Sequence, residues 1–400
     1  MKTKIIFVGG CWAQDRDSEI CANSVGPVQN AANIFQHSLI KGLDRFSEEG
    51  VTVLSSIFIG AYPYNYRKMF VSTYKFSHLA NKKKLNDWYI GFNNLPIIKH
   101  IDRTIRSKYV IRKILKDNSN KQIIVIGYSM TIAPIKTLLY AKKLNKSIKT
   151  CLIVPDLPEY MNLGKRTIKE IFKKISNKLV YNDVNKIDSF VFLTKYMAEK
   201  IDITNKKMCI VEGIATEKNI CKKEEFDGYK KIVYTGTLDR KYGVCSLVDA
   251  FMSLSGNNLR LVICGYGDSS KYIETKARVD HRIVFLGSVD NSTCRIIQQS
   301  AFLLVNPRNS NEEYTKYSFP SKTLEYMLSG KPVLTYKLKG IPNEYDEYLI
   351  YVKVSLLDSI KKVLMYDDYK LRCIGERARE FALSEKNLYK QTDKIYEMLK

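Results

Sequence analysis

The stretch YSFPSKTLEYMLSGKPVL, residues 317–334, combines a proline turn, a short helix, a glycine stop and a second proline before an apolar strand. Ser321 is predicted to cap the helix and Gly330 to end it. Lys322 falls in the first turn, where a cation is unfavourable by about 0.3–1 kcal/mol because unpaired backbone N–H groups already make that end positive. An anion bound at the helix N-terminus would remove this misfit. The alternative is that Lys322 extends into solvent.

Length and composition limit the class of protein. The chain has 400 residues, of which 45% are hydrophobic, which predicts two domains with separate cores. The longest apolar stretch, residues 123–135, is interrupted by Gly127 and Pro134 and is too short to cross a bilayer. The opening MKTKIIFVGG does not have the form of a signal peptide, so we expect a cytoplasmic protein. Nine scattered cysteines and four histidines predict neither a disulfide framework nor a metal site.

The net charge of +24 is concentrated in the first half of the chain. Residues 51–150 contain 19 Lys and Arg against 3 Asp and Glu, and GKRTIKEIFKKISNKLV, residues 164–180, reads as a basic helix. Apolar side chains are predicted on one side of that helix, at Ile168, Ile171, Phe172, Ile175 and Leu179. Such a surface indicates an anionic membrane leaflet, a nucleic acid or a phosphate-rich substrate as partner, unless it reflects a generally basic proteome. No nucleic-acid motif is present.

Strand-like and helix-like runs alternate in two series, separated by a polar segment around residues 211–231. This rhythm predicts two α/β domains with open parallel sheets, joined by a linker near residues 213–228. The strands of the second series end in Gly236, in Gly265 and Gly267, and in Gly287, while the first strand of the chain is followed by Gly10. Because ligands bind beyond the carboxyl ends of such strands, the glycines and the Ser321 helix indicate one crevice that approaches a nucleotide closely.

Four motifs of the second series form a specific set: YTGTLDRKYGVCSLVDAF, LRLVICGYGD, RIVFLGSVDN and FPSKTLEYMLSGKPVL. Together they resemble the nucleotide-binding domain of retaining GT-B glycosyltransferases of family 4 (group 1), especially those of bacterial surface-polysaccharide synthesis. FVGG, NAANIFQHSLIKGL, VPDLPEYM and LTKYM resemble the acceptor domain more weakly. The resemblance implies two Rossmann-like domains that face a cleft: residues 1–215 bind the acceptor, residues 228–385 bind the nucleotide sugar, and residues 386–400 return as a helix to the first domain.

The resemblance also implies roles for single residues. Glu325 matches the second glutamate of the family's signature pair, which binds the ribose hydroxyls of the donor and suits a diol. The position of the first glutamate is occupied by Tyr317, so Tyr317 or Glu313 is expected to take over its contact with the donor sugar. The alternative for Glu325 is an ordinary exposed glutamate of a helix.

The family's arginine after the first glycine of this domain is absent, because Thr237 occupies its position. Arg240 and Lys241 follow shortly after, and either one is a candidate for holding the diphosphate unless both belong to a solvated turn. The resemblance implies no metal, so the charge of the leaving diphosphate is expected to be met by these cations, Lys322 and the helix N-terminus after Phe319. Asp156, between two prolines, is the acidic group best placed to orient an acceptor hydroxyl, or else it caps a loop.

We therefore expect a glycosyltransferase that needs no metal or cofactor. It is expected to use a UDP-linked sugar as donor and to retain the configuration of the transferred sugar. The expected acceptor is lipid-linked or a polysaccharide, at the inner face of the cell membrane, in capsule, exopolysaccharide or O-antigen synthesis. The predicted catalytic residues are Arg240, Lys241, Lys322 and Asp156. The predicted donor-binding residues are Glu325, Ser321, Pro320, Phe319, Tyr317, Gly236, Gly265, Gly267, Gly287 and Gly10.

Two alternatives remain open at the level of the sequence. The same architecture can serve a phosphorylase or a nucleotide-sugar epimerase, although no cue marks the lysine that would carry a phosphorylase's pyridoxal cofactor. A non-enzymatic basic module for a membrane or a nucleic acid would leave the crevice glycines, Ser321 and Glu325 without a common explanation.

Overall fold

The structure is a computed structural model that describes residues 3–26, 28–47, 49–79, 86–160, 169–216 and 227–400. The chain divides into two compact units, one formed by Met1–Ile214 with Leu388–Lys400 and the other by Ala215–Asn387. Residues 217–226, which make up most of the predicted linker, lie outside the described residues. Ile168 lies outside them too, and so do the side chains of Ile171 and Phe172.

The first unit is built on an eight-stranded sheet in the order β10-β9-β8-β7-β1-β2-β5-β4. Its neighbouring strands are parallel, except that β4 pairs antiparallel with β5, and β3 and β6 form a separate antiparallel pair. The strands are β1 Thr3–Gly9, β2 Thr52–Ser55, β3 Phe70–Val71, β4 Tyr74–Phe76, β5 Asp87–Tyr89, β6 Phe92–Asn93, β7 Gln122–Tyr128, β8 Lys149–Val154, β9 Ser189–Phe192 and β10 Lys207–Ile210. The helices are α1 Asp17–Asn23, α2 Asn30–Leu43, α3 Ile98–Lys116, α4 Ile132–Leu144 and α5 Lys169–Val184.

The second unit has a six-stranded, all-parallel sheet in the order β13-β12-β11-β14-β15-β16. The strands are β11 Lys230–Thr235, β12 Leu259–Cys264, β13 Ile283–Gly287, β14 Leu303–Asn306, β15 Val333–Thr335 and β16 Ile350–Tyr351. The helices are α6 Val244–Met252, α7 Ser270–Val279, α8 Asn291–Gln299, α9 Ser321–Leu328, α10 Leu356–Leu364 and α11 Asp368–Glu385. Numbered within the unit, the strand order is that of a doubly wound dinucleotide-binding sheet, which reverses between β11 and β14.

Apolar cores cover both faces of the second sheet, and β11 shows why its sequence lacks strict alternation. Ile232 and Tyr234 are part of one buried cluster, whereas Val233 between them is part of the other. Successive side chains of a strand point to opposite faces, so a strand covered on both sides is apolar throughout. This burial fixes the carboxyl end of β11, where the loop with Gly236 begins.

The last helix, α12 Leu388–Leu399, belongs to the first unit. The Arg45 guanidinium donates a hydrogen bond to the carbonyl oxygen of Tyr389 at 2.7 Å. The rings of Phe46 and Tyr396 stack with centroids 4.0 Å apart. The chain thus leaves the first unit after Ile214 and returns to it at its end.

Two local predictions need correction or completion. Pro320, and not Ser321, occupies the N-cap position of α9, and no side chain caps the helix; the N–H of Thr323 instead donates to the carbonyl oxygen of Pro320 at 2.8 Å. On α5, Ile175 and Leu179 are 54% and 46% exposed, so these two members of the predicted apolar stripe do not pack in the core. Among the described helices, none is long and apolar enough to cross a membrane.

Candidate active site

The loops that follow β11, β12 and β13 lie side by side at the carboxyl edge of the second sheet. The N–H of Gly236 donates to the carbonyl oxygen of Cys264 at 2.9 Å, and the N–H of Gly265 donates to that of Gly287 at 2.7 Å. Gly265 has a φ of +141°, and a Cβ atom there would lie 1.7 Å from the oxygen of Gly236. The loops after the three strands are therefore in direct contact, and only glycine fits at position 265.

Lys322 lies over the turn at Gly236 and does not extend into solvent. Its Cε atom is 3.3 Å from the place where a Cβ atom of Gly236 would be, and 32% of its side chain is exposed. Its ammonium forms an ion pair with Glu325, with 2.8 Å between Nζ and Oε2. The first turn of α9 thus carries its cation beside the crevice, and a carboxylate one turn later offsets the unfavourable helix dipole.

Glu325 is oriented from the protein interior by Gln298 of α8. The Nε2 atom of Gln298 donates to Oε1 of Glu325 at 2.7 Å and to Oγ1 of Thr235 at 2.8 Å, and Gln298 is only 2% exposed. The hydroxyl of Tyr326 accepts from the N–H of Thr235 at 2.9 Å and donates to its carbonyl oxygen at 3.1 Å. The carboxylate is therefore fixed against the end of β11 before any ligand binds.

Sequence reasoning missed Gln298 and Tyr326. Both lie in amphipathic helices, where a single buried polar residue looks like part of the polar face. Burial raises the pKa of the Tyr326 phenol, so the hydroxyl stays neutral and keeps both hydrogen bonds to Thr235. The signal that could have indicated these two residues is a polar group at a position that the helical period places on the apolar face.

Arg240 and Lys241 lie in the turn after β11 and have different surroundings. Arg240 is exposed, and its Cζ atom is 5.9 Å from the ring centre of Tyr272 on α7. Lys241 has its ammonium 3.6 Å from a carboxylate oxygen of Asp239 and 5.0 Å from the ring centre of Tyr242. Arg240 therefore has an aromatic ring of a neighbouring helix beside it, and Lys241 has a carboxylate and a ring of its own turn.

The segment before α9, which was predicted to contact the donor, is largely buried. Tyr317 is 3% exposed and Phe319 is 4% exposed, with the Phe319 ring 5.4 Å from that of Tyr345. Pro320 is also buried, whereas Glu313 is exposed. Phe319 and Pro320 therefore hold the start of α9 in place, and only Glu313 among the expected sugar contacts has an open side chain.

The two other glycines predicted to bind the donor, Gly267 and Gly287, differ in their surroundings. A Cβ atom at Gly267 would lie 2.5 Å from the backbone of Leu238, so Gly267 allows the loops after β12 and β11 to pack. At Gly287 no atom lies within 4 Å of such a Cβ atom. Gly287 therefore borders open space at the edge of the crevice.

The second unit is similar to known glycosyltransferase domains. Residues 229–365 match the family described as Glycosyl transferases group 1. All of the matched residues lie in the second unit. An uncharacterized glycosyltransferase of Methanocaldococcus jannaschii is 27% identical over 184 residues, which are 43% of this chain and 46% of that protein. The chain thus spans about half the length of this curated relative.

Solved structures match both units of the chain. Sucrose-phosphate synthase from Thermosynechococcus elongatus has a TM-score of 0.65 at 14% identity, with 99% of each chain covered. A UDP-forming α,α-trehalose-phosphate synthase from Burkholderia xenovorans, in complex with glucose-6-phosphate, has a TM-score of 0.63 at 9% identity, again with 99% of each chain covered. These likenesses show that the chain has the GT-B fold, and the predicted α/β class with two Rossmann-like halves is confirmed.

The matched residues 229–365 include all predicted donor-binding residues except Gly10. In the first unit, the N–H of Gly10 donates to Oε1 of Gln36 at 2.8 Å, and a Cβ atom at Gly10 would lie 2.4 Å from the Phe58 ring. Packing within its own unit therefore explains this glycine. Asp156 is exposed in the loop after β8, and its charge adds to burial in raising the pKa of Tyr128 at the end of β7. Asp156 thus lies at the carboxyl edge of the first sheet.

Metal ligands do not cluster in the part of the chain that the structure describes. No group of three or more His, Cys, Asp or Glu side chains there is arranged to hold a metal ion. The cations and N–H groups around Gly236 can interact with a phosphate.

Proposed function

We propose that this protein is a glycosyltransferase that transfers a sugar from a UDP-linked donor, with retention and without a metal. The observation that carries the proposal is the placement of Glu325, which Gln298 and Lys322 hold beside the Gly236 turn in a domain of the glycosyl transferases group 1 family. The donor base is proposed from the fold relatives, one of which is described as UDP-forming. The proposed acceptor is a lipid-linked or growing polysaccharide of capsule, exopolysaccharide or O-antigen synthesis.

Glu325 suits the ribose of the donor. Each carboxylate oxygen already accepts one hydrogen bond, at 2.7 Å from Gln298 and 2.8 Å from Lys322, and retains a lone pair for a hydroxyl group. A vicinal diol can donate one hydrogen bond to each oxygen. Because Gln298 fixes the carboxylate, binding the ribose does not require a new side-chain conformation, which reduces the entropy cost.

The diphosphate would bind where the Gly236 turn and the start of α9 meet. Lys322 lies over that turn, and the N-terminus of α9 carries partial positive charge. Charge develops on the leaving diphosphate as the glycosidic bond breaks, and fixed donors there stabilise the transition state without a metal. On the acceptor side, the exposed carboxylate of Asp156 is the proposed group that orients the acceptor hydroxyl.

Saturation binding tests this function. We expect UDP to bind with a stoichiometry of one in the presence of EDTA and to raise the melting temperature, because a ligand at about 100 times its Kd stabilises the folded state by about 2.7 kcal/mol. Calorimetric titration with UDP, GDP, ADP and dTDP measures this and identifies the base. If none of these diphosphates binds, the proposal is wrong, and binding that EDTA abolishes contradicts metal independence. Product analysis then separates transfer from epimerisation or phosphorolysis.

We also propose that the first unit binds an anionic membrane surface, on the basis of the two faces of α3. The inner face of the helix is buried in the unit, at Ser107, Val110, Ile111 and Ile114. On the outer face, Ile98, Ile101, Ile105 and Tyr109 follow one another at three- and four-residue spacing and are 45%, 58%, 60% and 71% exposed. The exposed cations Arg106, Arg112, Lys113 and Lys116 lie on the same helix.

An apolar stripe with flanking cations is typical of a helix that lies in the membrane interface. The exposed Ile175 and Leu179 of α5 add a second apolar pair to the same unit, next to the exposed Lys174 and Lys178. Each cation near an anionic leaflet contributes about 1 kcal/mol, and the attraction fades within a Debye length. This surface lies within the strongly basic part of the chain.

Replacing Ile101 and Ile105 together by glutamate is expected to lower partitioning onto phosphatidylglycerol-containing vesicles at least about tenfold, since two apolar contacts are lost and two negative charges are added. Vesicle co-sedimentation at several salt concentrations measures this. The matched control is Val354→Glu with Met365→Glu, which adds the same charges at apolar positions of the second unit that are 89% and 85% exposed. Equal partitioning of the α3 variant and the control, or equal binding of the unmodified protein to neutral vesicles, would contradict the membrane proposal.

A further inference from the structure

Arg308 follows β14 at the point where the strand order of the second sheet reverses. β14 is paired with β11, and the loops after these two strands border the place where doubly wound sheets bind their ligands. The two loops are in close contact, because a Cβ atom at Gly243 would lie 2.2 Å from the carbonyl oxygen of Pro307. The side chain of Arg308 therefore begins at the edge of this crevice.

Among the described residues, the side chain of Arg308 is buried without a carboxylate partner. Arg308 is 7% exposed, and within the described residues its Nε atom has no hydrogen-bond partner and its guanidinium forms no ion pair. Its Cζ atom lies 4.6 Å from the ring centre of Tyr314 and 5.6 Å from that of Tyr242. Aromatic faces attract the cation but leave its N–H groups available. A buried charge without a carboxylate is costly, which favours an anionic ligand at this position.

Two neighbouring polar groups are also buried without a hydrogen-bond partner among the described residues. Among the described residues, the buried Nδ2 atom of Asn306 and the buried hydroxyl of Tyr314 also have no hydrogen-bond partner. Burial raises the pKa of Tyr314, and the positive charge of Arg308 and its side-chain contact with the phenol oppose that rise. Both groups can donate a hydrogen bond, so three potential donors around one crevice are without an acceptor.

Tyr234 connects Arg308 with the turn at Gly236. Burial raises the pKa of the Tyr234 phenol well above its usual value, and Arg308 is among the charges that act on it, in the opposite direction. The Tyr234 hydroxyl lies 3.4 Å from the place where a Cβ atom of Gly236 would be, and Cε of Lys322 lies 3.3 Å from the same place. Arg308, after β14, and Lys322, in the first turn of α9, therefore approach one crevice from different elements.

We propose that Arg308 binds an oxyanion of the donor, with Asn306 and Tyr314 donating beside it, at a site not covered by Arg240 or Lys241. The inference rests on the proposed function. The oxyanion is either a phosphate group of the nucleoside diphosphate or the carboxylate of an acidic sugar. The planar fork of a guanidinium matches two oxygens of either group, which a lysine cannot do.

The test compares Arg308→Gln, Arg308→Lys and the unmodified protein by calorimetric titration in EDTA, with UDP, UDP-glucose and UDP-glucuronate as probes. We expect Arg308→Gln to lose at least about tenfold in affinity, and Arg308→Lys to recover only part of it. A loss for all three probes assigns Arg308 to the diphosphate. A loss confined to UDP-glucuronate assigns it to a sugar carboxylate. Arg372→Gln is the control, because it removes the same charge from an exposed position of α11.

Two outcomes overturn the inference. The first is an Arg308→Gln protein that binds every probe as tightly as the unmodified protein does. The second is an Arg308→Gln protein that melts several degrees lower without ligand, because a structural arginine stabilises the fold whereas an unpaired one does not. If the unmodified protein binds none of the probes, the proposed function fails as well, so the two failures are distinguishable.

Discussion

Glu325→Gln is expected to weaken UDP binding at least about tenfold while the protein stays folded. The substitution keeps the shape of the side chain but removes its charge, and it turns one oxygen into an amino group. That amino group would face either Gln298 or Lys322, both of which donate to the carboxylate at 2.7 and 2.8 Å. A hydrogen bond to a charged group is worth about 1.5–3 kcal/mol, and the ribose loses at least one of them. Titration with UDP in EDTA measures the loss.

Lys322→Ala is expected to weaken UDP binding by a similar factor, because it removes a contact with the diphosphate instead of one with the ribose. Uridine separates the two roles, since its binding should fall strongly with Glu325→Gln and only slightly with Lys322→Ala, in which Gln298 still holds the carboxylate. Glu274→Gln on α7 is the matched control, because Glu274 is exposed and lies outside the crevice. Unchanged UDP affinity in both variants would mean that Lys322 and Glu325 form an ordinary surface ion pair, worth about 0.3–0.5 kcal/mol.

Gly265→Ala is expected to destabilise the second unit by at least about 3 kcal/mol. The new Cβ atom would lie 1.7 Å from the carbonyl oxygen of Gly236, and the φ of +141° is strained for any residue but glycine. The strain and the overpacking add, because Gly265 cannot move without breaking its hydrogen bond to Gly287, and Gly236 cannot move without breaking its hydrogen bond to Cys264. Circular dichroism should show a melting temperature lower by roughly 6–12 °C.

Gly287→Ala provides the matched control for this prediction. Gly287 also has a positive φ, of +63°, but no atom lies within 4 Å of an added Cβ atom. Only the strain of the left-handed conformation remains, which costs about 1–2 kcal/mol. Equal losses of melting temperature in the two alanine variants would contradict the close approach of the Gly236 and Gly265 loops.

Local sequence patterns predicted the type and order of the elements. The stretch from residue 317 to 334 was expected to contain a helix that ends at Gly330, and α9 Ser321–Leu328 is followed by Gly330 with a φ of +72°. These features depend on backbone preferences of single residues, which the sequence states directly. The cap at Ser321 was wrong, because the proline before it already occupies the N-cap position.

The sequence by itself determined that two series of strands and helices form mainly parallel sheets, that glycines lie at the ends of three strands of the second series, and that Lys322 and Glu325 share one helix. Only the tertiary structure decided that Gln298 contacts Glu325 across 27 positions, and that Arg308 is buried with no carboxylate partner among the described residues. It also decided that Ile98, Ile101 and Ile105 of α3 are exposed. The reason is physical. Backbone preference and periodicity act within one or two turns of chain, whereas a side chain's partner depends on which elements the sheet places next to each other.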